Sequence, residues 1–157
     1  MATQNKQGVA DRPVVFLDTS ALFAGVWSTT GGGRLILKLG EAGIVRLLVS
    51  SLVLKELEKT LLAKAPHLLG ASTLLMDMSH IEITLPPLTE VVQRCQAFTT
   101  HPGDAEVLAA AWAADVDYFV TLDQKHFLNN LTLGAAAPFI IGTPGDFITW
   151  YRGRYQA

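Results

Sequence analysis

Short apolar runs alternate along the chain with longer segments in which apolar residues recur every three or four positions. Continuous apolar runs are typical of strands buried on both faces, strict alternation is typical of half-buried strands, and the 3.6-residue period is typical of helices. The pattern predicts strands at 14–18, 45–50, 80–86, 118–122 and 138–142. It predicts helices at 34–42, 51–66, 70–79, 89–98, 102–116, 124–129 and 143–155.

Residues that favour helix ends support several of these boundaries. Ser51 and Thr89 are suitable N-caps for the helices that they open. Gly43 and Pro66 are suitable stops for the helices that they follow or close. Pro102 fits the first turn of the alanine-rich helix, whose body has high helix propensity.

Strands that alternate with helices must be joined by crossover connections, which produce a parallel sheet with helices on both faces. The sequence therefore predicts an α/β fold, a three-layer α/β/α sandwich with a mostly parallel central sheet. Sheets of this kind bind ligands outside the carboxyl ends of their strands. Residues that follow a strand directly are consequently the first candidates for chemistry.

Four acidic residues are predicted to meet at this edge of the sheet. Asp18 ends the first strand, Asp123 follows the strand at 118–122, Asp104 opens the alanine-rich helix, and Glu56 lies one turn into the helix after the second strand. Carboxylates this close repel one another unless a cation neutralises them. Mg²⁺ or Mn²⁺, held by carboxylates, water and substrate phosphates, is the natural occupant.

Each of the four has a simpler alternative interpretation when taken alone. The three aspartates occur where helix caps and first-turn acids are common. Glu56 lies among Lys55, Glu58 and Lys59, as on a solvated, salt-bridged helix face. The coincidence of all four on one predicted edge favours the metal site.

Composition limits the remaining possibilities. A chain of 157 residues with 50% hydrophobic and 17% charged residues is best interpreted as one globular domain. A formal net charge of −2 gives no overall attraction for nucleic acid, so a polyanion must bind through a local patch or a bound metal.

The single cysteine, Cys95, allows neither an intramolecular disulfide nor a cysteine-based zinc site, which fits a cytoplasmic location. The polar segment 1–12 has no signal-peptide core and is expected to be a disordered tail, and no segment is apolar enough for a membrane span.

Four short sequences in chain order resemble the motifs of the PIN-domain family of metal-dependent nucleases, from about residue 14 to residue 149. They are VVFLDTSAL with Asp18, SSLVLKELEKTL with Glu56, GDAEVLAAAWA with Asp104, and the Thr-x-Asp of DYFVTLDQKHF with Thr121 and Asp123. The sequence departs from the family at Leu122, where relatives commonly have glycine. On this resemblance, residues 13–157 form a PIN-like domain.

The resemblance implies an endoribonuclease that cleaves single-stranded RNA with Mg²⁺ or Mn²⁺ held by Asp18, Glu56, Asp104 and Asp123. Thr19, Ser20 and Thr121 are then expected to orient the carboxylates or a metal-bound water. Many prokaryotic members of the family are toxins of toxin–antitoxin pairs and are often dimeric. An antitoxin protein and a second copy of the chain are therefore expected partners beside RNA.

Basic residues near the predicted site are candidate contacts for RNA phosphates. Arg34 and Lys38 lie one turn apart after the glycine run at 31–33, and Lys125 and His126 follow Asp123. Each is also consistent with an ordinary surface charge. The glycine run lacks the Lys-Ser/Thr ending of a phosphate-binding loop and is interpreted as a flexible connection.

Two alternatives to the nuclease remain open at this point. One is a catalytically silent PIN-like module that binds RNA or a protein. The other is a magnesium-dependent phosphatase that uses the same acids. The presence of all four acids favours an enzyme over the silent module, which could lose one of them without consequence.

Overall fold

The computed structural model describes residues 12–155, so the predicted tail at 1–12 lies almost entirely outside the described residues. The described chain contains a sheet of five strands: β1 (Val14–Leu17), β2 (Arg46–Val49), β3 (Glu82–Ile83), β4 (Tyr118–Val120) and β5 (Ile140–Gly142). Their order is β3-β2-β1-β4-β5, and every neighbouring pair is parallel. The predicted parallel α/β sheet is confirmed.

Helices lie between consecutive strands, and one more follows the last strand. They are α1 (Thr19–Trp27), α2 (Gly32–Glu41), α3 (Ser51–Lys64), α4 (Leu69–Met78), α5 (Thr89–Cys95), α6 (Pro102–Ala113), α7 (Leu131–Ala136) and α8 (Pro144–Tyr155). A 3₁₀ turn at Pro66–Leu68 precedes α4, and a π-helical turn at Gln124–Leu128 follows β4.

The central strand β1 demonstrates that helices cover both faces of the sheet. Val15, Phe16 and Leu17 are each at most 2% exposed. Because successive side chains of a strand point to opposite faces, three consecutive buried residues require packing on both sides. The three-layer α/β/α arrangement predicted from the apolar runs is therefore the observed one.

Aromatic packing fixes the π-helical turn against the sheet. The rings of Phe16 and Phe119 stack across the β1–β4 pair with centroids 5.4 Å apart. Phe127, in the turn, is buried with its centroid 5.0 Å from that of Phe119. This apolar anchor determines where the polar residues of the same turn lie.

Several predicted boundaries need correction. The N-cap of α3 is Ser50 and not Ser51, because the Ser50 hydroxyl accepts a hydrogen bond from the Val53 amide at 3.2 Å. Leu88 and not Thr89 occupies the N-cap position of α5.

The strand predicted at 80–86 pairs only at Glu82–Ile83. This segment lies at the edge of the sheet with β2 as its single neighbour, and the prolines at 86 and 87 cannot donate backbone hydrogen bonds. The last strand begins at Ile140 and not at 138. The pattern did not identify α7 as a helix.

Helices α1 and α2 approach so closely that glycine is required where they meet. A Cβ added at Gly33 would lie 2.8 Å from the backbone nitrogen of Gly25, which cannot move without shifting α1. We expect Gly33→Ala to lower the free energy of unfolding by about 1–3 kcal/mol through overpacking. Urea denaturation measures this, with Gly153→Ala as the matched control: that helical glycine has no atom within 4 Å of an added Cβ. The control is expected to be neutral or to stabilise by about 0.5–1 kcal/mol, and equal losses in both variants would contradict the packing argument.

Candidate acidic metal site

The site forms where the sheet reverses its strand order. The chain leaves β1 toward β2 on one side and returns to β4 on the other, so a crevice opens beyond the carboxyl ends of β1 and β4. Leu17 and Val120 are paired at the ends of these strands. The next residues, Asp18 and Thr121, therefore meet at the crevice.

Asp18 is almost completely buried, with 7% of its surface exposed. Its Oδ2 accepts a hydrogen bond from the Thr121 hydroxyl at 2.8 Å and a longer one from the Ser20 hydroxyl at 3.3 Å. Burial raises the pKa of Asp18 to about 6, hydrogen bonds from Thr121, Thr19 and Ser20 oppose the rise, and the charge of Glu56 adds to it. An ionised Asp18 is thus present at neutral pH, but its negative charge is poorly compensated.

Thr121 connects Asp18 to the residues after β4. Its hydroxyl is fully buried, donates to Asp18 and accepts a hydrogen bond from the Asp123 amide at 3.0 Å. The Ser20 hydroxyl accepts from the Leu122 amide at 3.0 Å. Two hydroxyl groups therefore fix the ends of β1 and β4 to each other.

Glu56 reaches the same crevice from α3. Its Oε2 accepts a hydrogen bond from the Thr19 hydroxyl at 2.7 Å, so Thr19 binds Glu56 through its side chain while its amide faces Asp18. A Cβ added at Gly103, the residue before Asp104, would lie 3.7 Å from Glu56 Oε1. Glu56 therefore lies between the start of α1 and the start of α6.

Among residues 12–155, Asp104, Asp123 and His126 form a tight group of ionisable side chains. One oxygen or nitrogen atom of each lies within 4.8 Å of the others, a spacing that could hold a metal ion. His126 Nδ1 is 2.8 Å from Asp123 Oδ2 and 3.8 Å from Asp104 Oδ2. Burial raises the pKa of Asp104, His126 and His101 act to lower it, and Asp123 adds to the rise.

The sequence placed His126 beside Asp123 but did not identify it as part of this group. The usable signal was its spacing, because residues three apart on a helical turn lie on the same side. Among residues 12–155, Asp18 and Glu56 are not members of the tight group. The Thr121 hydroxyl links Asp18 to the Asp123 amide, and the Thr19 hydroxyl links Glu56 to the start of α1.

The family model of the PIN domain matches residues 14–125. The chain belongs to the PIN-domain family. The match begins at β1 and ends two residues after Asp123, so it includes all four predicted acids. The resemblance inferred from the sequence motifs is confirmed.

Two solved structures share the fold of this PIN domain. PAE2754 from Pyrobaculum aerophilum is 18% identical over 87% of this chain and 94% of its own, with a TM-score of 0.57. VapBC2 from Rickettsia felis, solved bound to a DNA fragment from their promoter, has a chain that is 18% identical over 82% of this chain and 96% of its own, with a TM-score of 0.56. None of the curated proteins compared with the PIN domain matches it.

The residues of the PIN domain fit a divalent cation. The donor set is dominated by carboxylate oxygens, which Mg²⁺ and Mn²⁺ prefer. The raised pKa values of Asp18 and Asp104 indicate that burial leaves their negative charge without sufficient compensation, and a cation would supply it. Asp104, Asp123 and His126 could bind an ion directly, with Asp18 and Glu56 beside them.

The predicted basic contacts lie in different environments of the PIN domain. Arg34 donates to the carbonyl oxygens of Gly25 and Val26 at 2.7 and 3.1 Å, so it satisfies the carboxyl end of α1. Lys38 is exposed on α2. Lys125 lines an open cavity of about 340 Å³ beside the acidic site, together with His126.

No helix within the described part of the PIN domain is long and apolar enough to cross a membrane.

Proposed function

We propose that this PIN domain is a metal-dependent endoribonuclease that hydrolyses phosphodiester bonds of single-stranded RNA with Mg²⁺ or Mn²⁺. The observation that carries the proposal is the convergence of Asp104, Asp123 and His126 within 4.8 Å, next to the buried Asp18, at the switch point of a PIN fold. A divalent ion bound at such a site supplies charge stabilisation and lowers the pKa of a bound water.

In this proposal the protein holds the carboxylates in fixed orientations. The Thr121 hydroxyl donates a short hydrogen bond to the Asp18 carboxylate and accepts one from the backbone amide of Asp123. Thr19 holds Glu56. Because Thr121 directly follows β4 and Thr19 opens α1, the carboxylates keep their spacing without substrate, which avoids a reorganisation cost during the reaction.

The cavity next to the acidic group supports RNA as the substrate. It is open, has a volume of about 340 Å³ and is lined by hydrogen-bonding groups and by aromatic rings that include the partly buried ring of Phe98. Lys125 at its edge offers a positive charge to a phosphate. A base can enter such a space only after it has left a base-paired stack, which favours single strands. Arg34 and Lys38 are proposed as further phosphate contacts.

We also propose that the protein is the toxin of a toxin–antitoxin pair, acts in the cytoplasm and binds an antitoxin protein and a second copy of itself. The structural likeness to VapBC2, a complex solved with promoter DNA, supports this assignment. Co-purification of the chain with a small protein encoded next to it would test the pairing.

The decisive experiment is cleavage of end-labelled single-stranded RNA with Mn²⁺, with EDTA as the metal-free control. We expect cleavage by the wild type and loss of at least roughly 100-fold in Asp104→Asn, since even outer partners of metal ligands contribute 10–100-fold. Asp77→Asn, an exposed aspartate on α4, is the matched control and should cleave normally.

Absence of cleavage in the wild type, with RNA binding retained, would favour the silent binding module. Turnover of a small phosphate ester without RNA cleavage would favour the phosphatase.

Metal binding should raise the melting temperature of EDTA-stripped protein. An ion at ten times its dissociation constant stabilises the folded state by about 1.4 kcal/mol. For a domain of this size that corresponds to a shift of about 3–6 °C. Differential scanning fluorimetry with Mn²⁺ measures it, and an equal shift in Asp104→Asn would show that the ion binds elsewhere.

A further inference from the structure

The backbone of His126 is fixed by a turn that is packed against the sheet. It belongs to the π-helical turn, whose neighbouring residue Phe127 is buried against Phe119 of the central sheet. Its backbone amide donates to Asp123 Oδ1 at 3.0 Å. The imidazole therefore faces the acidic group from a fixed position, as a metal ligand must.

The polar contacts of the His126 ring are directed to the two carboxylates. Nδ1 lies 2.8 Å from Asp123 Oδ2 and 3.8 Å from Asp104 Oδ2. The other ring nitrogen, Nε2, is buried and has no hydrogen-bond partner among residues 12–155. Within the described chain, the ring thus makes no hydrogen bond that connects it to another part of the fold.

The spacing of these atoms suits a shared ion. Ligand atoms about 2.1 Å from one ion at right angles lie about 3 Å from each other. The observed separations from Nδ1, 2.8 and 3.8 Å, bracket that value. One oxygen or nitrogen atom from each of the three side chains lies within 4.8 Å of the others, a spacing that could hold an ion.

We propose that His126 is a nitrogen ligand of the metal, so that Asp104, Asp123 and His126 form a mixed oxygen–nitrogen centre that prefers Mn²⁺, Co²⁺ or Ni²⁺ to Mg²⁺. Imidazole is a poor ligand for Mg²⁺, which prefers oxygen, and a good one for later transition metals. The inference takes from the proposed function only that a metal ion binds at the acidic site. It adds that His126 makes this site select among metal ions, which a site made of carboxylates alone would not do.

The alternative role for His126 is a purely positioning one, in which Nδ1–H donates to Asp123 and never contacts the ion. The two roles differ in a spectroscopic property: a ligand nitrogen couples strongly to a bound Mn²⁺, whereas a nitrogen outside the coordination sphere couples only weakly. The test therefore uses electron spin-echo modulation of untagged, metal-stripped protein reloaded with one equivalent of Mn²⁺. No substrate and no turnover are needed.

We expect strong nitrogen modulation in the wild type and in His101→Gln, and its loss in His126→Gln. His101 is the matched control because its ring lies 4.6 Å from that of His126 but outside the tight group. Calorimetric titrations should give a 10–100-fold loss of Co²⁺ or Ni²⁺ affinity in His126→Gln, with Mg²⁺ affinity changed less than about threefold.

Bound Mn²⁺ without nitrogen modulation in the wild type would overturn the inference while leaving the nuclease proposal intact. The wild-type spectrum decides this point even if His126→Gln fails to fold. Equal losses of Mg²⁺ and Ni²⁺ affinity in the variant would also overturn it, in favour of the positioning role. Nitrogen modulation together with absent RNA cleavage would support the inference and count against the proposed function.

Discussion

Replacing Asp18 with asparagine is expected to abolish RNA cleavage and, at the same time, to stabilise the metal-free protein at neutral pH. The carboxylate is 7% exposed, and burial is the main cause of its raised pKa of about 6. Asparagine keeps the size and the hydrogen-bond acceptor for Thr121 but carries no charge. We therefore expect a loss of cleavage of at least roughly 100-fold, since even the outer partners of metal ligands contribute 10–100-fold.

The direction of the stability change follows from the pKa. A carboxyl group whose pKa is higher in the folded state than its ordinary 3.8 stabilises the fold fully below pH 3.8, and this stabilisation is lost as the pH rises through about 6. At pH 7.5 the ionised Asp18 therefore costs the metal-free protein up to about 3 kcal/mol. The uncharged asparagine side chain of the variant does not have this cost.

Urea denaturation in EDTA at pH 7.5 and pH 4 measures the effect. Asp18→Asn should be the more stable protein at pH 7.5, and the difference should shrink toward zero at pH 4, where Asp18 is protonated. Asp77→Asn, on the exposed side of α4, should show no such pH-dependent difference. A destabilised Asp18→Asn protein at pH 7.5 would contradict the assignment of an uncompensated buried charge.

Thr121→Val should damage stability and activity together. The hydroxyl is fully buried and is the atom through which Asp18 and the Asp123 amide are linked. Valine has a similar shape but leaves both groups without this partner, at a cost of about 1–3 kcal/mol each when buried. Metal affinity and cleavage should also fall about 10–100-fold, because the two carboxylates lose their common support.

Thr121→Ser is the matched control, since it keeps the hydroxyl and loses only a methyl group. Calorimetry of metal binding and urea denaturation of all three proteins separate the effects. If the serine variant loses as much metal affinity as the valine variant, packing of the methyl group and not the hydrogen-bond bridge supports the site.

The contrast between these two substitutions describes how the site is built. In the metal-free protein, Asp18 is expected to lower stability through its charge, and Thr121 is expected to raise it by satisfying polar groups that burial has removed from water. A buried carboxylate that costs stability in the absence of its ligand is typical of a functional group, because burial raises its pKa and strengthens its interaction with a cation.

Prediction from the sequence succeeded where one local pattern was sufficient. The apolar run at Val14–Leu17 is buried on both faces, as its lack of alternation indicated. It failed at β3, where the alternating segment 80–86 pairs over only two residues. The length over which a segment pairs in a sheet depends on the strand beside it and on whether it lies at the edge of the sheet. Neither is encoded in the residues of the segment.

By itself, the sequence determined the parallel α/β class, the PIN-domain membership and the four acids in motif order, because each rests on residue type and spacing within a short segment. Only the tertiary structure decided which atoms meet. It directed Thr19 to Glu56, Thr121 to Asp18, and His126 to Asp104 and Asp123. These contacts join residues as far as 103 positions apart and depend on strand order and helix packing. Contacts between residues so far apart in the sequence form only after the whole fold has brought their side chains together.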